Sequence, residues 1–417
     1  MKHFILYLFI FLTTAFVSSC NKEILLTANP VFIKTISTNS LYSPIQSFET
    51  TDSGFVVFVA DKKNFGLNRL PGKIIKVDKF GNQLWSKSIA SHTKTLFHVV
   101  EIPGDGYATI GWDDPLQTIL YATHYDADGN FISEKTVSMP FSNSWVGPYT
   151  FIRLQNGNYA ICGGSFFSVF KGILKIIGPD FSNITYKTFS APSGFRETYI
   201  SGISQSNDGS INMMASVQNL TINKQNNLLY IKTDESGNQL KYTFKNDSSF
   251  YETVNCMATT STGSFAIAGS MQSAGLEGTY LDYNNNNNAL AALISGQITL
   301  ELIDTAGNFI ERKIISGYNN NGIIQSTHTT RDGGYILCGT VNQANSAVIV
   351  SQTKIFIVKL NASLNIEWTK TINTTYPAYG MDAFETKDNG FLITGMEKSM
   401  NQNFEPILIK TDSEGNY

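Results

Sequence analysis

The sequence predicts an all-β protein, a seven-bladed β-propeller with four antiparallel strands in each blade. A Gly- or Asn-containing turn runs into a short apolar strand seven times, and the residues after the turn are Phe55, Tyr107, Tyr159, Ile211, Phe265, Tyr335 and Phe391. The steps between them are 52, 52, 52, 54, 70 and 56 residues. Val, Ile, Tyr, Phe and Thr dominate the apolar runs, and no helical stripe of useful length follows residue 20. Such a period indicates one repeated supersecondary unit rather than several different domains.

Each unit contains four strands, which we call a, b, c and d. In the sixth unit they are IIQSTHT, GYILCGT, KIFIVKL and NIEWTKTI, at 323–329, 334–340, 354–360 and 365–372. A β-helix would need shorter repeats, and a row of sandwiches would need about 100 residues for each. The turn between strands c and d often reads Asp-x-x-Gly-Asn, and we place its marker at Asn82, Asn130, Asn183, Asn238, Asn308, Asn365 and Asn416.

The two ends of the chain predict how the ring closes. The seventh unit ends at Tyr417, after its strand c, so its strand d is missing. The segment NPVFIKTIS at 29–37 belongs to no unit, and it matches the strand d segment NQLWSKSIA at 82–90. We therefore expect this N-terminal strand to complete the last blade, which leaves no exposed sheet edge at the joint.

The N-terminus has the features of an export signal. Residues 1–19 combine a basic start with an apolar run, and two serines precede Cys20. This end resembles the lipobox of bacterial lipoproteins, which implies that Cys20 is lipidated and anchors the protein to the outer membrane. The alternative is an ordinary signal peptide with a Cys at its cleavage site. We predict a signal at 1–19, a lipidated Cys and linker at 20–28, and one propeller at 29–417.

The whole mature chain resembles the seven-bladed propeller lipoproteins of Gram-negative bacteria, which carry DGGY, IKLD and GN-x-x-W repeats. Here the pattern appears as DGGY at 332–335 and as IIKVDKFGNQLW at 74–85. Most members of that group have no assigned activity. The GN-x-x-W element also resembles the blades of quinoprotein dehydrogenases, but no adjacent Cys-Cys pair is present. We therefore expect no cofactor.

Composition excludes several function classes. The formal net charge is −3 and no basic stripe occurs, so we expect no nucleic-acid partner. Beyond Cys20 the cysteines are Cys162, Cys256 and Cys338, an odd number that favours small buried side chains over a disulfide. No Cys/His spacing suggests a metal site, and neither G-x-S-x-G, H-E-x-x-H nor a phosphate loop occurs. We assign no catalytic residue.

The loops that join strand d to a, and strand b to c, share one rim of a propeller, and loops on a rigid scaffold often carry function. The d–a loops are rich in aromatic residues, whose faces suit sugars or peptide side chains. The alternative is that these rings pack between blades. We predict ligand-binding residues at His92, Trp145, Phe195, Arg196, Tyr318, Tyr376 and Tyr379.

Strand a lines the central channel. Gln46, His98 and Asp382 occupy matching positions in three consecutive blades around the predicted ring. A carboxylate and an imidazole at one channel mouth could bind a metal or act as acid and base. The alternative is a solvated polar lining without chemistry.

Two hypotheses of different class follow. The first is a membrane-anchored, extracytoplasmic binding or scaffold module whose rim takes a glycan, a peptide or a protein. The second is an extracytoplasmic polysaccharide lyase or hydrolase with its site at the channel mouth, which would need convergent titratable groups. Few His and acidic residues fall in the d–a loops, so we expect binding rather than catalysis.

Overall fold

The computed structural model describes residues 30–38, 42–61, 72–89, 92, 95–112, 119–138, 145–167, 169–219, 226–245, 250–260, 263–273, 297–315, 322–342, 353–398 and 404–417. Val31–Tyr417 form one compact unit. It consists of seven antiparallel sheets with four strands each, which confirms the predicted seven-bladed β-propeller. Among the residues listed above, none belongs to a helix long and apolar enough to cross a membrane.

The strands alternate regularly with turns along the chain. They are β1 Phe32–Thr35, β2 Tyr42–Glu49, β3 Phe55–Asp61, β4 Lys73–Val77, β5 Gln83–Ser88, β6 Thr95–Ile102, β7 Gly106–Trp112, β8 Leu120–Tyr125, β9 Phe131–Val137, β10 Trp145–Arg153, β11 Tyr159–Phe167, β12 Val169–Ile177, β13 Asn183–Phe189, β14 Phe195–Gln205, β15 Ile211–Asn219, β16 Asn226–Thr233, β17 Gln239–Lys245, β18 Phe250–Thr259, β19 Phe265–Ser273, β20 Gln297–Ile303, β21 Phe309–Ile315, β22 Gly322–Thr329, β23 Tyr335–Asn342, β24 Thr353–Leu360, β25 Ile366–Thr371, β26 Ala378–Glu385, β27 Phe391–Lys398 and β28 Phe404–Thr411. Blades one to six take four consecutive strands each, from β2 to β25.

Blade seven is closed by the N-terminal strand, as predicted. Its sheet order is β1-β28-β27-β26, and β1 pairs antiparallel with β28 from Phe32 opposite Lys410 to Thr35 opposite Ile407. The backbone N–H of Ile36 adds a hydrogen bond to the carbonyl of Pro406 at 2.8 Å. The ring is therefore held shut by backbone pairing between the two ends of the chain.

The c–d turns show why Asp and Asn recur there. In blade one, the Asp78 carboxylate accepts the backbone N–H groups of Phe80 and Asn82, both at 2.8 Å. Gly81 takes the left-handed conformation that the reversal requires, with φ of 77°. The turn is thus built by local side-chain to backbone bonds, which is why the motif survives in most blades.

Blade three departs from the predicted alignment. Its turn closes with the N–H of Gly178 bonded to the carbonyl of Ser182 at 2.8 Å, so Ser182 takes the marker position and Asn183 already begins β13. The acceptor side chain has moved along the turn to Asp180, which bonds the N–H of Ser182 at 3.1 Å. The placement of the marker at Asn183 was therefore wrong by one residue.

The core lies between neighbouring blades. One apolar cluster joins Val57 and Ile75 of blade one to Leu392 and Leu408 of blade seven, and all four are buried. Inner strands are covered on both faces, as in β7, where every residue is buried. The outer strand of a blade has one covered face only, so β5 alternates between exposed and half-buried residues.

Candidate functional site

Every strand a has an irregularity just before its predicted channel residue. The register shifts fall at 44/46, 96/98, 148/150, 200/202, 254/256, 324/326 and 380/382. A β-bulge places two residues opposite one partner and re-aims the side chains that follow it. The bulge is a repeated feature of these inner strands, and simple alternation along the sequence does not reveal it.

Asp382 is the centre of a polar cluster formed by three blades. Its Oδ1 lies 2.8 Å from Nε2 of His328 in blade six, and its Oδ2 accepts a hydrogen bond from Nε2 of Gln46 in blade one at 3.3 Å. The backbone N–H of the following residue, Ala383, donates to Oγ of Ser326 at 3.1 Å. The structure thus brings Gln46 and Asp382 into contact and adds His328, which lies in neither of the predicted sets.

The cluster contains an ion pair. Burial opposes ionisation of Asp382, but the charge of His328 and hydrogen bonds from His328 and Ser326 outweigh it and hold the pKa of the carboxyl below its ordinary value. Burial likewise opposes protonation of His328, but the charge and hydrogen bond of Asp382 outweigh it and raise the pKa of His328. The two groups therefore stabilise each other as a carboxylate and an imidazolium.

His98 behaves differently from His328. Burial is the main cause that lowers the pKa of His98 to about 4, and the charge of His328 lowers it further while Asp382 opposes the shift. Its buried Nδ1 has no hydrogen-bond partner among the described residues. The two imidazoles therefore differ: His98 is neutral at neutral pH, while Asp382 favours the charged form of His328.

The sequence carried a signal for His328 that alternation could have found. His328 lies two residues after Ser326, the predicted channel position of blade six, and residues two apart in a strand share a face. The corresponding residues in the other blades are Phe48, Val100, Ile152, Ser204, Ala258 and Phe384. His328 is the single titratable side chain in that row, which would have marked it.

No metal centre is formed by the described residues, since no three His, Cys, Asp or Glu side chains converge there as ligands. The thiols of Cys162, Cys256 and Cys338 are free. Burial raises the pKa of each of these thiols above its ordinary value. They are thus poor nucleophiles.

Two of the predicted rim aromatics pack inside their own blades. Tyr379 is only 3% exposed, and its ring meets Phe404 edge to face at 5.5 Å. The ring of Phe195 lies 4.6 Å from that of Phe244. Tyr376, like Phe195, is half-buried, and it lies two residues before β26.

His92 forms a small exposed cluster on the rim. Its side chain is 72% exposed, its Nδ1 lies 2.8 Å from Oε1 of Glu134, and its ring stacks on Tyr121 with centroids 5.3 Å apart. Oγ1 of Thr123 donates to the other oxygen of Glu134 at 3.0 Å. Sequence reasoning found His92 but missed Tyr121 and Glu134, which come from strands c and d of blade two.

The remaining predicted residues have less structural context. Trp145 begins β10 and Arg196 lies in β14, and only their backbones are described. Tyr318 and Cys20 lie outside the described residues, as does most of the insertion at 271–296. Their roles stay predictions.

No protein-family model matches this chain, and no curated protein matches it. Solved structures do. The polysaccharide lyase Uly1 has a TM-score of 0.53 and 9% identity, with 88% of this chain and 90% of that chain covered. YCF48 from Cyanidioschyzon merolae has a TM-score of 0.50 and 10% identity, with 92% and 99% covered. BBS1N, solved in complex with ARL6DN, has a TM-score of 0.50 and 9% identity, with 92% and 97% covered. These likenesses concern the fold.

Proposed function

We propose that this chain is an exported, lipid-anchored propeller of the outer membrane that binds an extracytoplasmic glycan, peptide or protein through its d–a and b–c loop rim. Binding is favoured over catalysis because the carboxylate of Asp382 is already engaged by other side chains. Both of its oxygens are occupied, one by His328 and one by Gln46. The carboxylate serves to join three blades.

A general base needs a free lone pair and a pKa near the working pH. Asp382 lacks such a pKa, because the pKa of its carboxyl lies below the ordinary value, and each of its oxygens already contacts a side chain from another blade. Asp382, His328 and Gln46 instead link three blades into a rigid ring. A rigid scaffold of this kind suits recognition by the loops on its surface.

The His92 cluster supports a recognition role for the rim. An exposed ring stacked on a second ring, beside a carboxylate that is only 8% exposed, combines an apolar face with a fixed acceptor. This is the combination with which proteins bind sugar rings and peptide side chains. Tyr376 adds a second aromatic group on the same rim, in the d–a connection before blade seven.

The anchor is tested by replacing Cys20 with Ala. We expect the variant to leave the membrane fraction and to keep the melting temperature of the wild-type protein, because Cys20 precedes the propeller. A variant that stays membrane-bound in carbonate-washed fractions would refute lipidation at Cys20. Protease accessibility on intact cells then distinguishes display on the cell surface from display in the periplasm.

The rim is tested with a glycan array and a peptide array. Once a ligand binds the wild-type protein, His92→Ala, Tyr376→Ala and Trp145→Ala should each weaken binding by more than about 1 kcal/mol, since aromatic anchors dominate such surfaces. Phe80→Ala is the matched control, because Phe80 is an exposed aromatic residue in a c–d turn on the opposite face. If only Phe80→Ala lost binding, the ligand would lie on the face of the c–d turns, and the rim proposal would be refuted.

A polysaccharide lyase or hydrolase is the second candidate, and the unpartnered Nδ1 of His98 favours it. A neutral buried imidazole could accept a proton from a substrate in the channel. The fold likeness to the lyase Uly1 is compatible with this role. Turnover of a polysaccharide panel that disappears in His98→Ala, while His92→Ala stays active, would establish the enzyme and displace the binding proposal.

A further inference from the structure

The chain enters the propeller on the face of the c–d turns. The described residues begin at Pro30, and β1 runs antiparallel to β28 with Phe32 opposite Lys410. β28 leads directly into the last c–d turn, which closes with the N–H of Asp412 bonded to the carbonyl of Asn416 at 2.9 Å. The start of β1 therefore lies beside a c–d turn, on the face opposite the d–a and b–c loop rim.

Exposed apolar side chains surround this entry point. Val31 directly precedes β1, and Ile33 lies within it. Phe80 lies in the c–d turn of blade one, and Leu84 lies near the start of its strand d. The exposed fractions of these four residues range from 38% to 56%, and we call the four residues the entry patch.

Contacts across the closing seam join the two halves of the entry patch. A Cβ atom added to Gly81 would lie 2.5 Å from the ring of Phe32 and 2.8 Å from the side chain of Lys34, so both side chains pack on this glycine. Phe80 precedes Gly81 directly. Ile33 lies between the two packed residues in β1, and its side chain therefore points to the opposite, exposed face of the strand. The exposed residues of β1 and of the blade-one turn thus form one surface.

Blade four has the same strand position without such a patch. Leu240 occupies the place of Leu84 there, two residues after the turn marker, and is 62% exposed. Within the part of blade four that the structure describes, it is the only large hydrophobic side chain that is exposed. Single apolar residues are normal on a protein surface, whereas contiguous ones mark a protein or membrane interaction site.

Two lysines border the entry patch. Nζ of Lys79 lies 5.1 Å from the ring centroid of Phe80, and Lys34 packs on the residue that follows Phe80. Neither lysine forms an ion pair with a described carboxylate. The carboxylate of Asp78 already accepts the N–H groups of Phe80 and Asn82. Exposed apolar side chains next to unpaired lysines suit the interface of a bilayer that contains anionic lipids.

The proposed anchor is close to the entry patch along the chain. Nine residues, 21–29, separate Cys20 from Pro30. Even when fully extended, a segment of this length spans no more than about 35 Å. An acyl group on Cys20 would therefore keep the face of the entry patch near the bilayer, while the loop rim lies on the other face.

We propose that the entry patch is a membrane-docking surface, which lies on the bilayer that holds the anchor. Phe80 and Leu84 enter the boundary between headgroups and acyl chains, to a depth of about 5–10 Å, and Lys34 and Lys79 contact anionic headgroups. Docking turns the d–a and b–c loop rim away from the membrane, toward a ligand in the aqueous phase. The inference rests on the proposed anchor at Cys20 and adds which face of the propeller meets the lipid.

The test holds the chain on vesicles without acylation. A chain that begins at Asn21 carries an N-terminal hexahistidine tag, which a nickel-chelating lipid binds in vesicles of phosphatidylethanolamine and phosphatidylglycerol. A fluorophore on Leu84→Cys should be quenched by nitroxide-labelled headgroups at least about threefold more than one on Leu240→Cys, the matched control in blade four. The native thiols should label poorly, because burial raises the pKa of each of them.

A patch variant separates docking from simple tethering. Val31→Ser combined with Phe80→Ser should lower the quenching of the Leu84→Cys fluorophore to the level of Leu240→Cys, because the tether alone does not hold this face against lipid. Ile310→Ser removes an exposed side chain at the same strand position of blade five and should leave the quenching unchanged. All variants should keep the wild-type melting temperature, since each replaced side chain is exposed.

Three results would overturn the proposal. The first is equal quenching at the two labelled positions, and the second is quenching on Leu84→Cys that survives Val31→Ser with Phe80→Ser. The third is stronger quenching on Tyr376→Cys, which would place the rim on the membrane. Because the tag replaces the acyl group, none of these results depends on lipidation, which membrane fractionation of Cys20→Ala tests separately.

Discussion

Blade five differs from blades six and seven in the polar groups that hold its sheet together. Blades six and seven lie next to the closure of the ring. In blades six and seven, a lysine of strand c pairs with the Asp of its own a–b turn, Lys359 with Asp332 at 2.7 Å and Lys410 with Asp388 at 3.0 Å. In blade five the strand position is Leu302, which pairs with Ala266 where Lys359 pairs with Ile336. The corresponding turn position in the sequence is a threonine, residue 262.

Blade three repeats this exchange. There the strand position is Ile176 and the turn position is Asn156, whose side-chain oxygen bonds the N–H of Asn158 as Asp332 bonds that of Gly334. In blades three and five both members of the pair are absent, and in blade two the strand position is His124, which lies 3.3 Å from Asp105. A buried lysine without its carboxylate is costly, while an apolar replacement of both partners is not. The comparison teaches that the pair behaves as one unit.

Blade five has a charge network of its own instead. Glu252 and Glu301 are buried, and Nζ of Lys245 from blade four lies 3.2 Å from one and 2.9 Å from the other. Arg312 contacts both carboxylates, with its Nε 2.5 Å from Glu301. The seam between blades four and five therefore depends on four coupled side chains rather than on the repeated turn pair.

The largest expected effect concerns the closing strand. A chain that begins at Thr38 lacks β1 and exposes the edge of β28, so it loses several backbone hydrogen bonds and the burial of Ile36. Relative to a chain that begins at Asn21, its melting temperature should fall by more than about 10 °C, or it should not fold. Equal melting temperatures would show that β1 is dispensable and that blade seven is stable with three strands.

Next comes the network of blade five. Arg312→Leu leaves two buried carboxylates with one lysine, which should cost about 3–5 kcal/mol of unfolding free energy. Lys313→Leu removes a charge from the adjacent residue and should cost less than about 1 kcal/mol. Urea unfolding of both variants measures the difference. Similar losses would mean that the network adds nothing beyond surface charge.

The channel cluster near the closure predicts a dependence on pH. Since His98 has a pKa of about 4 in the folded protein and about 6.5 unfolded, the unfolded chain binds the proton first, and stability falls as the pH drops from about 6.5 to 4. The loss can reach about 3 kcal/mol. His98→Gln should remove it, whereas His92→Gln should not. An unchanged slope in His98→Gln, from urea unfolding between pH 4.5 and 7.5, would contradict a buried neutral imidazole.

His328 should act in the opposite sense. Its pKa is raised in the folded protein, so its contribution is complete below the unfolded pKa of about 6.5 and is lost as the pH rises through the folded pKa. His328→Gln should therefore lose more stability at pH 6 than at pH 9. A loss that is the same at both values would mean that the ion pair with Asp382 does not form.

The smallest effect sharpens the comparison with blade five. Asp388→Thr leaves Lys410, which is 2% exposed, without its carboxylate. The cost should be about 1–2 kcal/mol, between that of an exposed and a fully buried pair, because Asp388 is 25% exposed. The double variant Lys410→Leu with Asp388→Thr copies blade five and should recover most of that loss. A double-mutant cycle by urea unfolding measures the coupling. If the two losses simply add, the joint exchange seen in blades three and five has another cause.

The residues show where sequence reasoning was sufficient and where it was not. Turn chemistry identified the seven blades, but it misplaced the turn marker in blade three by one residue. There the acceptor side chain is Asp180, Ser182 takes the marker position, and Asn183, the next residue, resembles the marker. Matching positions grouped Gln46, His98 and Asp382, and in the structure Gln46 and Asp382 share a hydrogen bond. The rim aromatics were less predictable, since the same ring can face a ligand or, like Tyr379, pack within its blade.

The sequence by itself determined the blade number and the strand order, because turns and period-two patterns act between residues close in the chain. The closure by 29–37 was predictable because this segment matches the strand d segments of other units and the seventh unit lacks its own. Matching positions pointed to Gln46 and Asp382, but only the tertiary structure decided that His328 pairs with Asp382. His328 and Asp382 are 54 residues apart, and Gln46 and Asp382 are 336 apart. Their contact exists because strand a of each blade is bulged and because the ring brings the last blade beside the first. Neither the local pattern nor the composition of any one repeat contains that information.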